Sequence, residues 1–255
     1  MDHRDVVRRQ FGGHAEEYRK SRTHSDPSTL DSIIRLVSPG EEEKALDVGC
    51  GGGHMAAALA SWVRELVAID VTPQMLVQTG LLARERGLSN VSMCLADAQN
   101  LPFRSEAFDV VSCRIVLHHI SDADKAVAEM GRVLKGGGRL FIQDILGADD
   151  RMARNYMDTI EKLRDPSHIK DYNLEEWNHF FETGGLKILH TETIQGVYRL
   201  KEWTSRSGTP IDKLNEIVTG LCDMPEEVRP YLKAQFYDGD WSIQMRYLLV
   251  LATKT

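Results

Sequence analysis

The sequence predicts an α/β protein built on a doubly wound, mostly parallel sheet of seven strands, with a helical cap formed by insertions. Five short apolar segments alternate with helical segments between positions 44 and 146, the pattern of parallel βαβ units. A glycine-rich turn follows the first strand, and acidic side chains end three others. Because ligands of such sheets bind at the carboxyl ends of the strands, these features predict one binding site along that edge.

The composition fits one large domain that can bury a substantial core. The chain has 255 residues, of which 42% are hydrophobic and 27% charged, and both values are ordinary. A net charge of −7 argues against non-specific nucleic-acid binding, which requires a basic surface. No apolar run approaches the length of a membrane span, and the four cysteines include no Cys-x-x-Cys pair. We expect a cytoplasmic protein without a membrane span or nucleic-acid partner; the oligomeric state stays open, a homo-oligomer included.

The first predicted strand, residues 44–48, leads into the turn around which the chain is organised. Gly49, Gly51 and Gly53 allow a sharp turn and the close approach of a ligand, and a helix-forming run begins at His54. A helix start after such a turn directs backbone N–H groups at a ligand. The spacing Asp-x-Gly-x-Gly-x-Gly is neither the dinucleotide fingerprint nor a P-loop. The alternative is a glycine-rich turn without a ligand.

The stretch Leu46–Gly53 resembles motif I of the class I S-adenosylmethionine-dependent methyltransferases. This resemblance implies S-adenosyl-L-methionine as the cofactor, held by Asp47 and the three glycines. The segment Phe11–Tyr18 resembles the N-terminal segment of the ubiquinone/menaquinone-type methyltransferases, which folds over the cofactor. Residues 1–40 would then form a helical lid with Tyr18 and Ser21 as its contacts. The alternative is a pair of packing helices, since the apolar spacing alone is only helical.

The second predicted strand, Glu65–Asp70, ends in a carboxylate. An acid at this tip can accept hydrogen bonds from both ribose hydroxyls, and nucleoside-binding α/β folds place it about 20 residues after the glycines. Thr72 and Pro73 supply a cap and a first-turn proline for the next helix, which leaves Asp70 free for the ligand. Asp70 and the following Val71 are therefore assigned to the cofactor; a turn acid is the alternative.

The third and fourth predicted strands, residues 91–97 and 108–114, end at further candidates. In the resembling family an Asp-Ala pair lies along the adenine, which implies this role for Asp97 and Ala98, with a solvated loop acid as the alternative. The resemblance also implies that the backbone of Arg114 contacts the methionine part of the cofactor. Relatives often carry a small residue there, so the Arg114 side chain can reshape the acceptor pocket.

Methyl transfer requires alignment, exclusion of water and, for some acceptors, removal of a proton. His118 and His119 follow the fourth strand, and histidine serves as a base near neutral pH; we place His119 first, with a helix-start pair as the alternative. Asp144, in the fifth strand at 139–146, can orient or deprotonate an acceptor or bond a cap helix. The loop Arg164–His168 is either substrate-facing or a capping turn. No metal site is predicted, because Asp144 is the one carboxylate well placed for it.

The cofactor-binding core is predicted at 41–146, and residues 147–255 complete the sheet and form the cap. The strands in this part are 186–195 and 241–254, the last antiparallel between the fifth and sixth, and the cap insertions are 147–185 and 196–240. These insertions carry aromatic residues that favour an apolar or aromatic acceptor, although such residues commonly form a cap core. They are Trp177, Tyr198, Trp203, Phe236 and Tyr237.

Together these features predict an S-adenosylmethionine-dependent methyltransferase that transfers a methyl group to a small-molecule acceptor by in-line displacement. Two other functions stay open: a nucleoside-binding sensor or scaffold without turnover, and a nicotinamide-dependent oxidoreductase. The glycine spacing and the lack of a Tyr-x-x-x-Lys pair near the fifth strand argue against the oxidoreductase. The sequence does not determine the acceptor atom.

Overall fold

Eight strands form one sheet at the centre of the protein, whose computed structural model describes residues 2–255. The strands are β1 Lys44–Val48, β2 Glu65–Asp70, β3 Val91–Leu95, β4 Phe108–Arg114, β5 Leu134–Ile145, β6 Leu186–Arg199, β7 Gln235–Tyr237 and β8 Asp240–Lys254. Seven of them run in the order β3-β2-β1-β4-β5-β8-β6, and β7 pairs with β8 beside this path. The predicted fold class is confirmed, and β7 is an additional short strand that the sequence pattern does not predict.

Eleven helices surround the sheet in the described part of the chain. They are α1 His3–Gly13, α2 Ala15–Lys20, α3 Pro27–Val37, α4 His54–Ala60, α5 Pro73–Glu85, α6 Ala123–Val133, α7 Arg151–Arg164, α8 Leu174–Thr183, α9 Leu200–Arg206, α10 Ile211–Cys222 and α11 Arg229–Leu232. A 3₁₀ turn at Leu117–His119 follows β4. Side-chain caps include Asp26 before α3, Asp122 before α6 and the Asn173–Glu176 capping box at α8.

The strand order places a ligand crevice near the middle of the sheet. From β1 the chain runs outward through β2 to β3, and it then returns to β4 on the other side of β1. Strands β1 to β5 are parallel, whereas β8 is antiparallel to both β5 and β6, as predicted for the last strand. The carboxyl ends of β1 and β4 therefore flank the topological switch point, where doubly wound sheets bind ligands.

The start of β5 and the end of β3 differ from the prediction. β5 begins at Leu134, which pairs with Phe108, and not at the predicted position 139, so Gly136–Gly138 lie within an irregular strand. β3 ends at Leu95, and Asp97 lies in the turn that follows. The carboxylate of Asp97 thus sits beyond the strand tip, where a turn can aim it across the crevice.

The end of β6 extends past the predicted position 195. Its ladder with β8 continues to the pair Arg199 and Ser242, whereas β5 stops at Ile145, opposite Tyr247. β6 and β8 therefore project beyond β5 as a ribbon, and β7 pairs with β8 at the far end of this ribbon. Helices α9 and α11 pack on this ribbon and α10 packs on α7, which together form the cap. Helix α8 instead packs on α6 and β6, in the layer of the core.

The apolar core has two halves, one on each face of the sheet. On β1, Ala45 belongs to the half that contains α3, α4 and the cap, whereas Leu46 and Val48 belong to the half that contains α6 and α8. Val110 and Val111 on β4 divide in the same way. This alternation is the period of two expected of a strand covered on both faces.

The N-terminal helices α1 and α2 bridge the core and the cap. Both pack against α5, where the Arg19 guanidinium donates hydrogen bonds to Gln78 and Glu85 at 2.7 Å each. From α1, the Gln10 amide donates to the carbonyl of Ser207 after α9 at 2.8 Å. None of the described helices has the length and apolar character needed to cross a membrane.

Candidate active site

A cavity of about 1470 Å³, counted to its open mouth, lies at the carboxyl ends of β1, β2 and β4 beneath α1 and the cap. The cavity is open to solvent, and its lining extends from the strand tips to the cap. One end, here called the acidic end, is lined by Asp47, Asp70 and Asp97. The other, here called the basic end, is lined by Arg114, Arg164 and Arg206.

Asp70 binds the glycine turn at the acidic end. Its Oδ2 accepts from the Gly51 N–H at 3.0 Å and its Oδ1 from the Thr72 N–H at 2.8 Å. The Thr72 side chain makes no capping hydrogen bond to α5. Asp70 accepts from the Thr72 N–H instead, so the prediction that Thr72 leaves Asp70 free is wrong. Each carboxylate oxygen accepts a second hydrogen bond, so capacity for two hydroxyls remains. Burial raises the pKa of Asp70.

The three predicted glycines have different environments, although all have positive φ. A Cβ on Gly49 would lie 2.6 Å from the Val116 side chain, and one on Gly53 would lie 2.9 Å from the Thr79 backbone. A Cβ on Gly51 would meet nothing closer than 4.0 Å. Gly49 and Gly51 line the cavity, whereas Gly53 caps α4 and does not. The open side of Gly51 is therefore the place where a ligand can approach the backbone.

Asp47 carries an unsatisfied oxygen at the acidic end. The residue is 2% exposed, and its Oδ1 accepts from the Ser112 hydroxyl at 2.6 Å. Its Oδ2 has no hydrogen-bond partner among residues 2–255. Burial raises the pKa of Asp47 to about 7. A buried, unpaired carboxylate oxygen is costly, so this atom is a natural partner for a ligand ammonium group.

The residues predicted to flank the adenine lie where the N-terminal helix α1 covers the edge of the sheet. Val71, Asp97 and Ala98 all line the cavity. Arg4 of α1 approaches Asp97 with 3.4 Å between Nη1 and Oδ2, and Arg8 donates from Nε to the Val71 carbonyl at 3.0 Å. Charge and hydrogen bonds thus hold α1 against this edge of the cavity.

The two predicted lid contacts are oriented differently. Tyr18 lines the cavity, and its ring packs edge-on against Phe11, with 5.2 Å between ring centroids. Phe11 in turn packs edge-on against His119 at 4.9 Å. Ser21 does not line the cavity, because its hydroxyl is hydrogen-bonded to His24 Nδ1 at 2.8 Å. The position of Ser21 therefore supports an indirect role, through His24, which does line the cavity.

Arg114 reaches the cavity with its side chain. Its Nε donates to the Gln143 amide oxygen at 2.8 Å, and its Nη1 donates to the His24 carbonyl at 3.0 Å. The prediction considered chiefly a backbone contact, and the structure adds a guanidinium whose hydrogen-bond partners are neutral oxygens.

The cap supplies the rest of the basic end. Arg164 lies over the Trp203 ring at 4.6 Å and pairs with Glu161 at 3.4 Å. Arg206 lines the same space. Glu161 and Arg206 are not among the residues predicted from the sequence, although the spacing of Trp203 and Arg206 places both on one face of a helix. Of the aromatic cap residues, Tyr198 and Trp203 line the cavity, Trp177 is buried in the core, and the strand β7 pair is exposed.

Each carboxylate oxygen of Asp144 accepts two hydrogen bonds below the cavity. Its Oδ2 accepts from the N–H groups of Val116 and Leu117, and its Oδ1 accepts from the Ile145 N–H and from His118 Nδ1 at 2.5 Å. It does not line the cavity, so its geometry does not fit deprotonation of an acceptor. Burial alone would lower the pKa of His118, but Asp144 raises it to about 9. The pair fixes the 3₁₀ turn after β4.

His119 lies on that turn, lines the cavity and is neutral. Burial lowers its pKa to about 3, and the neighbouring His118 cation adds to the effect. The Ser167 hydroxyl donates its single hydrogen to Asp165 Oδ1 and lies 3.1 Å from His119 Nδ1. His119 Nδ1 must therefore be the protonated nitrogen, which leaves a lone pair on Nε2. The predicted Arg164–His168 loop thus orients His119 through Ser167.

One trio of side chains has the spacing of metal ligands within the described residues. It consists of Asp158, His168 and Asp171, outside the cavity. His168 Nε2 already donates to Asp158 Oδ1 at 2.9 Å. Burial raises the pKa of Asp171 to about 7, which allows this carboxyl to stay protonated without a cation.

Comparisons with known proteins agree with this geometry. A sequence profile of the methyltransferase domain matches residues 46–142. The uncharacterized methyltransferase YcgJ of Bacillus subtilis strain 168 is 33% identical over 219 residues, which cover 86% of this chain and 87% of that protein. The chain belongs to the S-adenosylmethionine-dependent methyltransferases. The solved YcgJ structure superposes with a TM-score of 0.82 at 30% identity, covering 89% of this chain and 98% of that one.

A further relative extends this methyltransferase assignment. The ubiquinone biosynthesis O-methyltransferase of Xylella fastidiosa is 28% identical over 188 residues, covering 71% of this chain and 74% of that protein. S-adenosylmethionine is accordingly the cofactor, and the nicotinamide alternative is set aside. The acidic end fits this molecule chemically, since Asp47 has an oxygen for an ammonium group, Asp70 has acceptor positions for hydroxyls, and Gly51 leaves open space beside the backbone.

Proposed function

We propose that this methyltransferase acts on a small-molecule acceptor that binds at the basic end of the cavity. The supporting observation is that the cavity continues past the acidic end into the cap, between α1 and the β6–β8 ribbon. Its walls there include Trp203, Tyr198, Met245 and Tyr247. A site walled in this way suits a small molecule better than a protein or nucleic-acid chain.

At the acidic end we assign the cofactor contacts to residues that line the cavity. Asp70 accepts from the ribose hydroxyls, Asp97 and Ala98 flank the adenine with Val71, and Asp47 pairs with the ammonium group. Tyr18 covers the site from the lid. When bound, S-adenosylmethionine supplies a methyl group on a sulfonium, whose displacement leaves a neutral thioether. The protein aligns the two reactants and excludes water.

His119 is the residue that we propose receives the acceptor's proton. The lone pair on Nε2 supports this role. Because the pKa of His119 is lowered to about 3, its cation needs a nearby anion. The Asp165 carboxylate stabilises a cation formed there, since its Oδ2 lies 4.0 Å from Nε2 and has no hydrogen-bond partner among residues 2–255. Asp144 acts as a positioning residue beneath this histidine and does not touch the acceptor.

The test follows a labelled methyl group. Purified protein is incubated with methyl-labelled S-adenosylmethionine and a bacterial lysate separated into small molecules, protein and nucleic acid. We expect label in the small-molecule fraction at a rate that Asp70→Ala reduces strongly, whereas Asp31→Ala on the exposed face of α3 does not change it. Label in protein or nucleic acid, or none in any fraction despite calorimetric binding of S-adenosylhomocysteine, would contradict the proposal.

A further inference from the structure

We propose that the basic end binds an oxyanion group of the acceptor, a carboxylate or a phosphate. This inference rests on the proposed function and names the class of acceptor. It is carried by the convergence of Arg114, Arg164 and Arg206 on one end of the cavity, in a chain whose net charge is −7.

The hydrogen bonds of these arginines leave most of their donors unused. Arg114 donates to the Gln143 amide and the His24 carbonyl, which are neutral. Arg164 donates from Nε to the Trp203 carbonyl at 3.2 Å and pairs with the Glu161 carboxylate at 3.4 Å. For Arg206, no side-chain hydrogen bond or ion pair occurs within residues 2–255, and its Nε is buried without a partner. A guanidinium has five N–H donors, so without an acceptor its hydrogen-bonding capacity is unsatisfied.

The local charge is positive. Within residues 2–255, Glu161 is the one carboxylate that lines the cavity beside Arg164 and Arg206, since the three other lining acids are those of the acidic end. The pKa of His24 is well below its usual value because of burial and the nearby Arg206 and Arg114. The hydroxyls of Tyr198 and Tyr247 are hydrogen-bonded to each other at 2.6 Å, which leaves one of their two hydrogens as a further donor.

A bound cofactor does not remove this excess of positive charge. Its carboxylate can pair with Arg114, the arginine whose strand leads from the switch point, but its sulfonium brings a new positive charge. Arg206 and the unused donors of Arg164 then still lack an anion. Uncompensated buried charge is costly, and guanidinium geometry matches carboxylate and phosphate oxygens. The acceptor is the remaining molecule that can supply the counter-charge.

The experiment compares matched probes that differ in charge. Benzoate, phenyl phosphate and the neutral benzamide are titrated calorimetrically into the protein saturated with S-adenosylhomocysteine. We expect at least one anion to bind about tenfold or more tightly than benzamide. Arg206→Met should bring that ratio close to one, Arg206→Lys should restore part of it, and Arg151→Met, an exposed arginine of α7, should leave it unchanged.

Each outcome has a defined meaning. Tighter binding of benzoate than of phenyl phosphate indicates that the acceptor carries a carboxylate, and the reverse indicates that it carries a phosphate. Equal binding of acid and amide, binding of none of the three, or an anion preference that survives Arg206→Met overturns the inference. Failure of S-adenosylhomocysteine itself to bind would instead contradict the proposed function, so the two failures are distinguishable.

Discussion

The two ends of the cavity are built in opposite ways. The acidic end comes from consecutive strand tips and turns between positions 47 and 98, and its carboxylates are fixed largely by nearby backbone N–H groups. The basic end is assembled from β4, α7, α9 and β8, which are distant in sequence. One end is therefore a local property of the glycine turn and its neighbours, whereas the other exists only when the cap has folded.

The ends also differ in how completely their polar groups are satisfied. Asp70 accepts two backbone hydrogen bonds before any ligand arrives, whereas the Arg206 side chain makes no hydrogen bond within residues 2–255. A preformed acidic end suits a cofactor that is the same in every turnover. The basic end has unpaired donors, which suits the recognition of one acceptor. A molecule that cannot accept hydrogen bonds from these donors leaves them unpaired and therefore binds more weakly.

The largest effect is expected at the boundary between the two ends. Asp144→Ala removes the acceptor of three backbone N–H groups and of the His118 imidazole. Breaking a buried ion pair on one side costs roughly 3–5 kcal/mol, so we expect a loss of about that size in the free energy of unfolding. Urea denaturation measures it, with the exposed Asp149→Ala as the control.

The pH dependence of stability checks the same pair. Because the pKa of His118 is raised in the folded state to about 9, its contribution is complete below the unfolded value near 6.5 and is lost as pH rises through 9. Asp144→Ala should remove this decline between pH 6.5 and 9. A variant with the wild-type profile, or with a stability loss below about 1 kcal/mol, would contradict the anchoring role.

The acidic end is tested by Asp70→Ala. Loss of two hydrogen bonds from ribose hydroxyls to a charged group costs about 3 kcal/mol, equivalent to about 100-fold in affinity. We expect S-adenosylhomocysteine to bind about 100-fold more weakly by calorimetry, with Asp31→Ala unchanged. An unchanged affinity would place the ribose elsewhere, and a cooperative urea unfolding transition would show that the variant remains folded, although the loss of the hydrogen bonds to Gly51 and Thr72 lowers its stability.

His119→Ala separates catalysis from cofactor binding. A positioned general base contributes roughly 10²–10⁴-fold to rate, so the rate of label transfer to the small-molecule fraction should fall about 100-fold or more. The affinity for S-adenosylhomocysteine should stay within about twofold, because His119 is not assigned to the cofactor. The exposed His179→Ala serves as the control, and an equal rate for both variants would remove His119 from the mechanism.

Asp47 makes the acidic end sensitive to pH. Burial raises the pKa of its carboxyl to about 7, so it is protonated below that pH and cannot pair with an ammonium group. The affinity for S-adenosylhomocysteine should fall as pH drops below 7, approaching tenfold per unit. Asp47→Asn should bind weakly with a flat profile over this range. A sloping profile in Asp47→Asn would assign the titration to another group.

The same contrast explains what the sequence could predict. Asp47, Gly51 and Asp70 are recognisable because a strand followed by a glycine turn and a strand tip fixes their geometry locally. Gly53 and Asp144 share these local signals, but neither lines the cavity. Gly53 packs closely against Thr79, and the Asp144 carboxylate accepts hydrogen bonds from backbone N–H groups.

Arg206 and Glu161 carry little local signal. Each is a charged residue on a helix, and such residues are usually solvated. Their position in the cavity depends on the β6–β8 ribbon, whose length beyond position 195 is set by pairing between distant segments. Sequence patterns report short-range order, so they describe the acidic end better than the basic end.

The smallest effect is expected where the lid meets the acidic end. Arg4 lies 3.4 Å from Asp97, and its side chain is 49% exposed, so solvent screens the pair. Arg4→Ala should raise the dissociation rate of S-adenosylhomocysteine by about twofold in stopped-flow measurements, and 1 M salt should remove the difference from the wild type. Arg9→Ala, exposed on the same helix, should have no effect. A change of tenfold or more would show that the lid, and not the preformed carboxylates, controls retention of the cofactor, and the distinction between a preformed acidic end and an assembled basic end would then fail.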